Sequence, residues 1–165
     1  MKFAVDHDFQ GISPADYEAL YFDEPFAIAL CEKVKLGRTL LRLDRTEGRL
    51  VRHVRCEPVR DIPGPIAKLL GDKRFSYVEE LEFELGKLHG RWRVVPNIAT
   101  DKVDAKGTLE FRAIPGGVKR LVAGEIKVSV FGIGGLVEKF VVAEVEKSYA
   151  DAAVFTRDYL AKKSA

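Results

Sequence analysis

From Met1 to Phe9, the residues Phe3, Val5, His7 and Phe9 share one side, while Lys2, Asp6 and Asp8 interrupt the other. That alternation predicts a short strand. The period then lengthens. Ser13-Pro14-Ala15-Asp16 reads as a helix start, with Ser13 able to cap and Pro14 suited to the first helical position. Apolar residues continue at helical spacing to about Val34, but Pro25 interrupts them, so two short helices meeting near Asp23-Glu24-Pro25 are predicted. From Gly37 the pattern alternates again. Residues 38–45, 49–59, 75–85, 91–95, 108–114 and 118–131 read as strands separated by Gly-containing turns, the signature of an antiparallel meander. Between the second and third lies Pro63 to Leu70, a helix of one or two turns. After Gly132-Ile133-Gly134-Gly135, apolar positions such as Val137, Phe140, Val141, Val145, Tyr149 and Ala152 recur every three or four residues. This predicts an amphipathic helix of roughly 29 residues, about 43 Å long.

The order is thus strand, two helices, about six antiparallel strands and one long terminal helix, an α+β fold within one domain over residues 1–165. A curved sheet wrapped around a helix that long encloses space that side chains need not fill.

Composition narrows the function classes. The 165 residues are 47% hydrophobic and 32% charged, as in a folded globular protein. A chain of this size buries roughly 70% of the surface it exposes unfolded. The longest apolar run, Phe26 to Cys31, falls far short of the ~20 residues that span a bilayer, so no integral membrane contact is expected. With 27 Lys+Arg against 25 Asp+Glu, the net charge of +2 implies no obligate polyanion partner. Cys31 and Cys56 make no disulfide framework and Met1 opens no secretory leader, so a reducing cytoplasm is the expected compartment.

One stretch, Arg120-Leu-Val-Ala-Gly124-Glu125-Ile126-Lys-Val128-Ser-Val130-Phe-Gly132-Ile-Gly134-Gly135-Leu-Val-Glu138-Lys139, resembles the last strand and start of the terminal helix in an uncharacterised bacterial branch of the START-like (SRPBCC) superfamily. That branch is known only as a domain of unknown function. The element order resembles the superfamily's helix-grip fold from Met1 to Lys162, and more distantly its sterol-binding branch. The superfamily includes lipid-transfer domains, birch-pollen allergens and polyketide cyclases. The resemblance implies a pocket for a hydrophobic ligand between sheet and helix; it implies no particular reaction, because one fold hosts many functions. The residues it would place around such a ligand are Phe26, Leu30, Tyr77, Glu79, Leu81, Phe83, Trp92, Phe111, Arg120, Val122, Ile126, Leu136, Phe140 and Tyr149.

Individual motifs carry less. Gly132-x-Gly134 opens a helix as a dinucleotide-binding turn would, but the third glycine position is Val137 and no strand follows, so no nucleotide cofactor is expected. Seven arginines between Arg38 and Arg60 form either a basic patch or a sheet face paired with Glu79, Glu80, Glu82 and Glu84. No aromatic residues interleave them, and no nucleic acid is expected. Glu79 falls on the apolar side of its strand with Tyr77, Leu81, Phe83 and Leu85. There it is a general acid/base or a partner of Arg93 or Arg120. Arg120 shares a side with Val118, Val122 and Ile126; it either meets a carboxylate or phosphate in the pocket or lies near solvent beside Gly116-Gly117. His7, His53 and His89 lack metal-ligand spacing, so no metal is expected; triads are spatial and the chain offers no elbow motif, so the sequence assigns no catalytic triad and leaves that route open.

Three functions remain, in order: a module that binds or carries a hydrophobic small molecule or lipid; a cyclase- or dehydratase-type enzyme using Glu79 or a tyrosine as acid/base; and a membrane-peripheral module using the arginine-rich strands. The sequence sets no oligomeric state.

Overall fold

The computed structural model describes residues 1–59 and 61–164. Strand β1 (Lys2–Gln10) buries Phe3 and Phe9. Ser13 Oγ accepts a hydrogen bond from the Asp16 amide (3.1 Å) and starts α1 (Pro14–Tyr21). Asp23 Oδ2 accepts from the Phe26 amide (3.0 Å) and starts α2 (Glu24–Lys33). Pro25 therefore sits in the first turn of α2, where its missing N–H costs nothing. Strands β2 (Leu36–Thr46) and β3 (Arg49–Pro58) follow, then α3 (Gly64–Leu70), β4 (Tyr77–Glu84), β5 (His89–Pro96), β6 (Val103–Ile114), β7 (Gly117–Val128) and α4 (Gly134–Ser164). A single 3-10 turn at Thr100–Lys102 precedes β6.

The seven strands form one antiparallel sheet in the order β1-β7-β6-β5-β4-β3-β2. The first strand lies beside the last, so α1 and α2 carry the chain from one sheet edge to the other. Helix α4 has 31 residues, about 46 Å at 1.5 Å per residue, and packs across the sheet against β7 and β1.

Most strand boundaries fall within two residues of the sequence pattern, and two differ by more. Strand β6 begins at Val103 rather than 108, because Ala105 and Gly107 continue the inward face though neither is a large apolar residue. Strand β7 ends at Val128 rather than 131, and Phe131 beyond it is fully exposed.

An aromatic cluster closes one end of the space between sheet and helices. Phe9 stacks on Tyr17 (5.0 Å between ring centres), Tyr17 meets the edge of Phe111 (4.8 Å), and Phe83 lies between Phe111 (5.2 Å) and Phe22 (4.9 Å). Leu81, Phe83 and Phe111 lie in this packed core and do not line the pocket beyond it. Their inward direction is as the alternation requires, but their position along the strands puts them in the filled end.

Candidate functional site

Beyond the aromatic core the sheet, α2, α3 and α4 diverge around a pocket of about 330 Å³. Phe26 and Leu30 of α2, Tyr77 and Glu79 of β4 and Trp92 of β5 form part of its wall. Arg120, Val122 and Ile126 of β7 and Phe140 and Tyr149 of α4 complete the part foreseen from sequence. Leu136 does not take part: it is half-exposed on α4. The inward stripe of α4 runs through Val137, Phe140, Val141, Val145 and Tyr149, and Leu136 stands about 100° off its start.

The pocket has two unlike ends. Toward α3 the wall includes the apolar Ile62, Ile66 and Leu69, with Ile98 and Val130 also on it, while Glu144 and Ser148 add polar groups from α4. At the inner end, against the aromatic core, polar groups converge. Arg120 is 2% exposed. Its Nη2 donates to the Tyr149 carbonyl (3.1 Å) and contacts His7 Nδ1 at 2.9 Å. Since a guanidinium only donates, that ring nitrogen is the acceptor. The Arg120 Cζ lies 4.8 Å from the Tyr149 ring centre and 5.5 Å from that of Phe9. No carboxylate among the described residues pairs with it. The alternative position near solvent is thus corrected: the short run of strand from Gly117 suffices to carry Arg120 from the Gly116-Gly117 turn into the interior.

Glu79 is paired with neither Arg93 nor Arg120. Its Oε1 lies 3.8 Å from Arg52 Nη2, an ion pair longer than a hydrogen bond. Register explains this: Glu80 faces Arg93 across β4 and β5, and those two join on the outer face (2.8 Å), whereas Glu79 faces Val54 and Val94. Arg52 is a site residue that the sequence reading missed, although it stands between Leu50 and Val54 on the inward side of β3. Its side chain is 9% exposed and its Cζ lies over the rings of Phe22 (5.2 Å) and Tyr21 (5.7 Å). The Nε atoms of Arg52 and Arg120 are both buried without a hydrogen-bond partner.

Arg38 also faces the pocket but is charge-paired, donating through both terminal nitrogens to the two Glu24 oxygens (2.6 and 2.7 Å). That paired contact holds Glu24 below the usual carboxylate range. The arginines of residues 38–60 are therefore not one patch. Arg38 and Arg52 point inward, Arg49 pairs with Glu82 on the surface, and Arg45 donates to the Phe22 carbonyl. Arg60 lies outside the described residues.

The neutral groups here are held neutral. Burial pushes the Tyr21 hydroxyl up to about 12 and raises Tyr77 and Tyr149 well above the ordinary phenol value. Burial likewise pushes the Cys56 thiol up to about 12 and raises Cys31, the two cysteines on the wall. His7 is lowered, by burial first and then by Arg120 and Arg157. Among the described residues no cluster of His, Cys, Asp and Glu is placed to hold a metal. No helix among them is long and apolar enough to cross a membrane.

A seven-stranded antiparallel sheet gripping a long terminal helix defines an α+β protein of the helix-grip type. The chain belongs to the DUF2505 family, a protein family of unknown function, which it matches over residues 4–160. Solved structures share the fold at low identity. The protein TTHA0849 from Thermus thermophilus superposes with a TM-score of 0.68 at 16% identity, covering 100% of both chains. The Zhui aromatase/cyclase from Streptomyces sp. R1128 gives 0.64 at 10% identity, covering 100% of this chain and 97% of its own. A point mutant of Thalictrum flavum norcoclaurine synthase, in complex with a transition-state analogue, gives 0.63 at 13%, covering 100% and 98%. No curated protein matches the chain.

Proposed function

We propose that this chain is a START-like module that binds or carries a hydrophobic small molecule or lipid in the pocket between sheet and α4. The observation that carries the reading is the pocket itself, about 330 Å³ with a mostly apolar wall interrupted by Arg38, Arg52, Glu79, Arg120, Glu144 and Ser148. Its volume lies at the small end of the range that houses small-molecule ligands. Affinity comes from apolar burial, at roughly 25 cal/mol per Å² removed from water, and the polar groups orient the ligand.

The test uses Nile red, a neutral apolar dye whose emission brightens and shifts to the blue in a dry site. Saturable binding with one site per chain supports the reading. No saturable binding, together with a bare-chain mass in native mass spectrometry of protein purified without detergent, overturns it.

A cyclase- or dehydratase-type reaction is the second reading, favoured by Glu79 and Tyr21 lying together at the inner end of the pocket. It requires a proton to move through Glu79 or a tyrosine. The long Arg52–Glu79 pair leaves the carboxylate accessible to a ligand, whereas tyrosines raised this far are held as phenols and suit the acid's part better than the base's. If Glu79→Gln leaves both affinity and any turnover unaltered, that mechanism is wrong.

A further inference from the structure

Taking the pocket to be a ligand site, as proposed above, we propose that its inner end is an anion site for one carboxylate. A hydrophobic acid enters head first, its carboxylate held by Arg120 and Arg52 and its tail directed toward α3.

The first ground is charge. A guanidinium out of water is costly unless an opposite charge or a full set of acceptors meets it. Arg120 has a helix carbonyl, one imidazole nitrogen, the neighbouring Tyr17 hydroxyl and two ring faces, and no carboxylate among the described residues. His7 and Tyr17 supply no negative charge. Arg38, by contrast, shows what a completed pair looks like here, with two short bonds to Glu24. Arg120 is left one anion short.

The second ground is Arg52. It faces the same end of the pocket, and the Tyr21 hydroxyl lies within electrostatic reach of Arg52, Arg120 and Glu79 together. Arg52 meets Glu79 only at 3.8 Å. Two guanidiniums against one carboxylate leave a single positive charge at this end, which suits a monoanion better than a doubly charged phosphate. The planar fork of arginine also matches the two oxygens of a carboxylate.

The third ground is the position of the apolar wall. Away from the arginines, toward α3, the pocket is bounded by Ile62, Ile66 and Leu69. An acid bound the other way round would put its charge against that wall and leave Arg120 unmatched.

The experiment measures displacement of Nile red at pH 7.5 by dodecanoate and by dodecanol, which differ only at the head. Wild type is compared with R120M, R52M and, as a control on the outer face, R93M. Hydrogen bonds to charged groups are worth enough for roughly 10- to 100-fold in affinity. Dodecanoate is expected to displace the dye from wild type and R93M at least about tenfold more strongly than dodecanol. In R120M the order reverses, because the carboxylate then enters an apolar site unpaired; in R52M the preference shrinks. If dodecanol competes with wild type as well as dodecanoate does, or if R120M keeps the acid preference, the carboxylate site is overturned while the hydrophobic-ligand reading stands. If Nile red itself does not bind, both fall. Should R120M not fold by circular dichroism, the wild-type comparison and R52M decide the question.

Discussion

Arg120 sets the state of the residues that touch it. Because its guanidinium donates to His7 Nδ1, protonating that imidazole means giving up the bond and placing two cations side by side. The folded state therefore holds His7 below the value of 6.5 it has unfolded, with burial the larger cause and Arg120 next. The sign follows. The unfolded chain binds the proton more readily, so this contribution to stability is complete above pH 6.5 and is lost as pH falls through the folded value. His7→Gln, which keeps an acceptor for Arg120, is expected to flatten the fall in Tm between about pH 7 and pH 5 relative to wild type. An unchanged slope in thermal melts across that range would mean another group drives it. Cys56 gives a second check. Its thiol stands at about 12 against an ordinary 9.0, so its thiolate fraction is smaller by a factor of about a thousand. Iodoacetamide at pH 8 is expected to label Cys56 at a comparably reduced rate in native protein and freely in urea, read by peptide mass spectrometry. Fast labelling of the native chain would show that Cys56 is not shielded.

At the scale of elements, two of the inward positions of the sheet are Gly107 and Gly124, which face each other across β6 and β7. The Trp92 indole lies across them, reaching from β5 toward Phe3 of β1, whose ring centre is 5.9 Å away. A Cβ on Gly124 would stand 2.7 Å from both the Lys106 carbonyl oxygen and Trp92 Cη2; one on Gly107 would stand 2.6 Å from Trp92 Cζ2. These glycines make room for an indole that forms part of the pocket floor. Gly124→Ala is expected to destabilise by about 1–3 kcal/mol, the usual range for overpacking, and to alter tryptophan fluorescence. Urea denaturation matching wild type would contradict that packing. The same site explains why the start of β6 is not legible in the sequence. Alternation shows where large apolar residues carry it, as in Leu109 and Phe111, and is faint where the inward residues are Ala105 and Gly107 under a tryptophan from another strand. The helix starts at Ser13 and Asp23, by contrast, are local chemistry and can be read directly. Arg52 and Glu79 show the remaining gap. Each stands visibly on an apolar face, but their meeting depends on register between β3 and β4, which no single strand contains.

For the whole molecule, a net charge of +2 conceals a division between surface and interior. Arg93, Arg49 and Arg112 pair with glutamates on the outer face, where each pair is worth little. Arg38, Arg52 and Arg120 go inward, where each needs an individual solution and only Arg38 has a complete one. Aromatic packing is likewise concentrated at one end, where the rings of Phe9, Tyr17, Phe22, Phe83 and Phe111 meet. The other end trades packing for volume. That division makes opposite predictions for the same kind of substitution in the two halves. Ala105 is buried yet stands on the pocket wall, so a larger side chain there has empty space to enter. Ala105→Leu is expected to raise Tm in the ligand-free chain, by the ~0.5–2 kcal/mol typical of cavity filling, and to weaken Nile red binding. Ala153 is also in the buried core but does not line the pocket, so it has no such space, and Ala153→Leu is expected to lower Tm by overpacking. Thermal melts of the two variants, with dye titrations on the first, decide the matter. Destabilisation by both would mean the pocket wall is as tightly filled as the core, and the space between sheet and α4 would then be too rigid to admit a ligand.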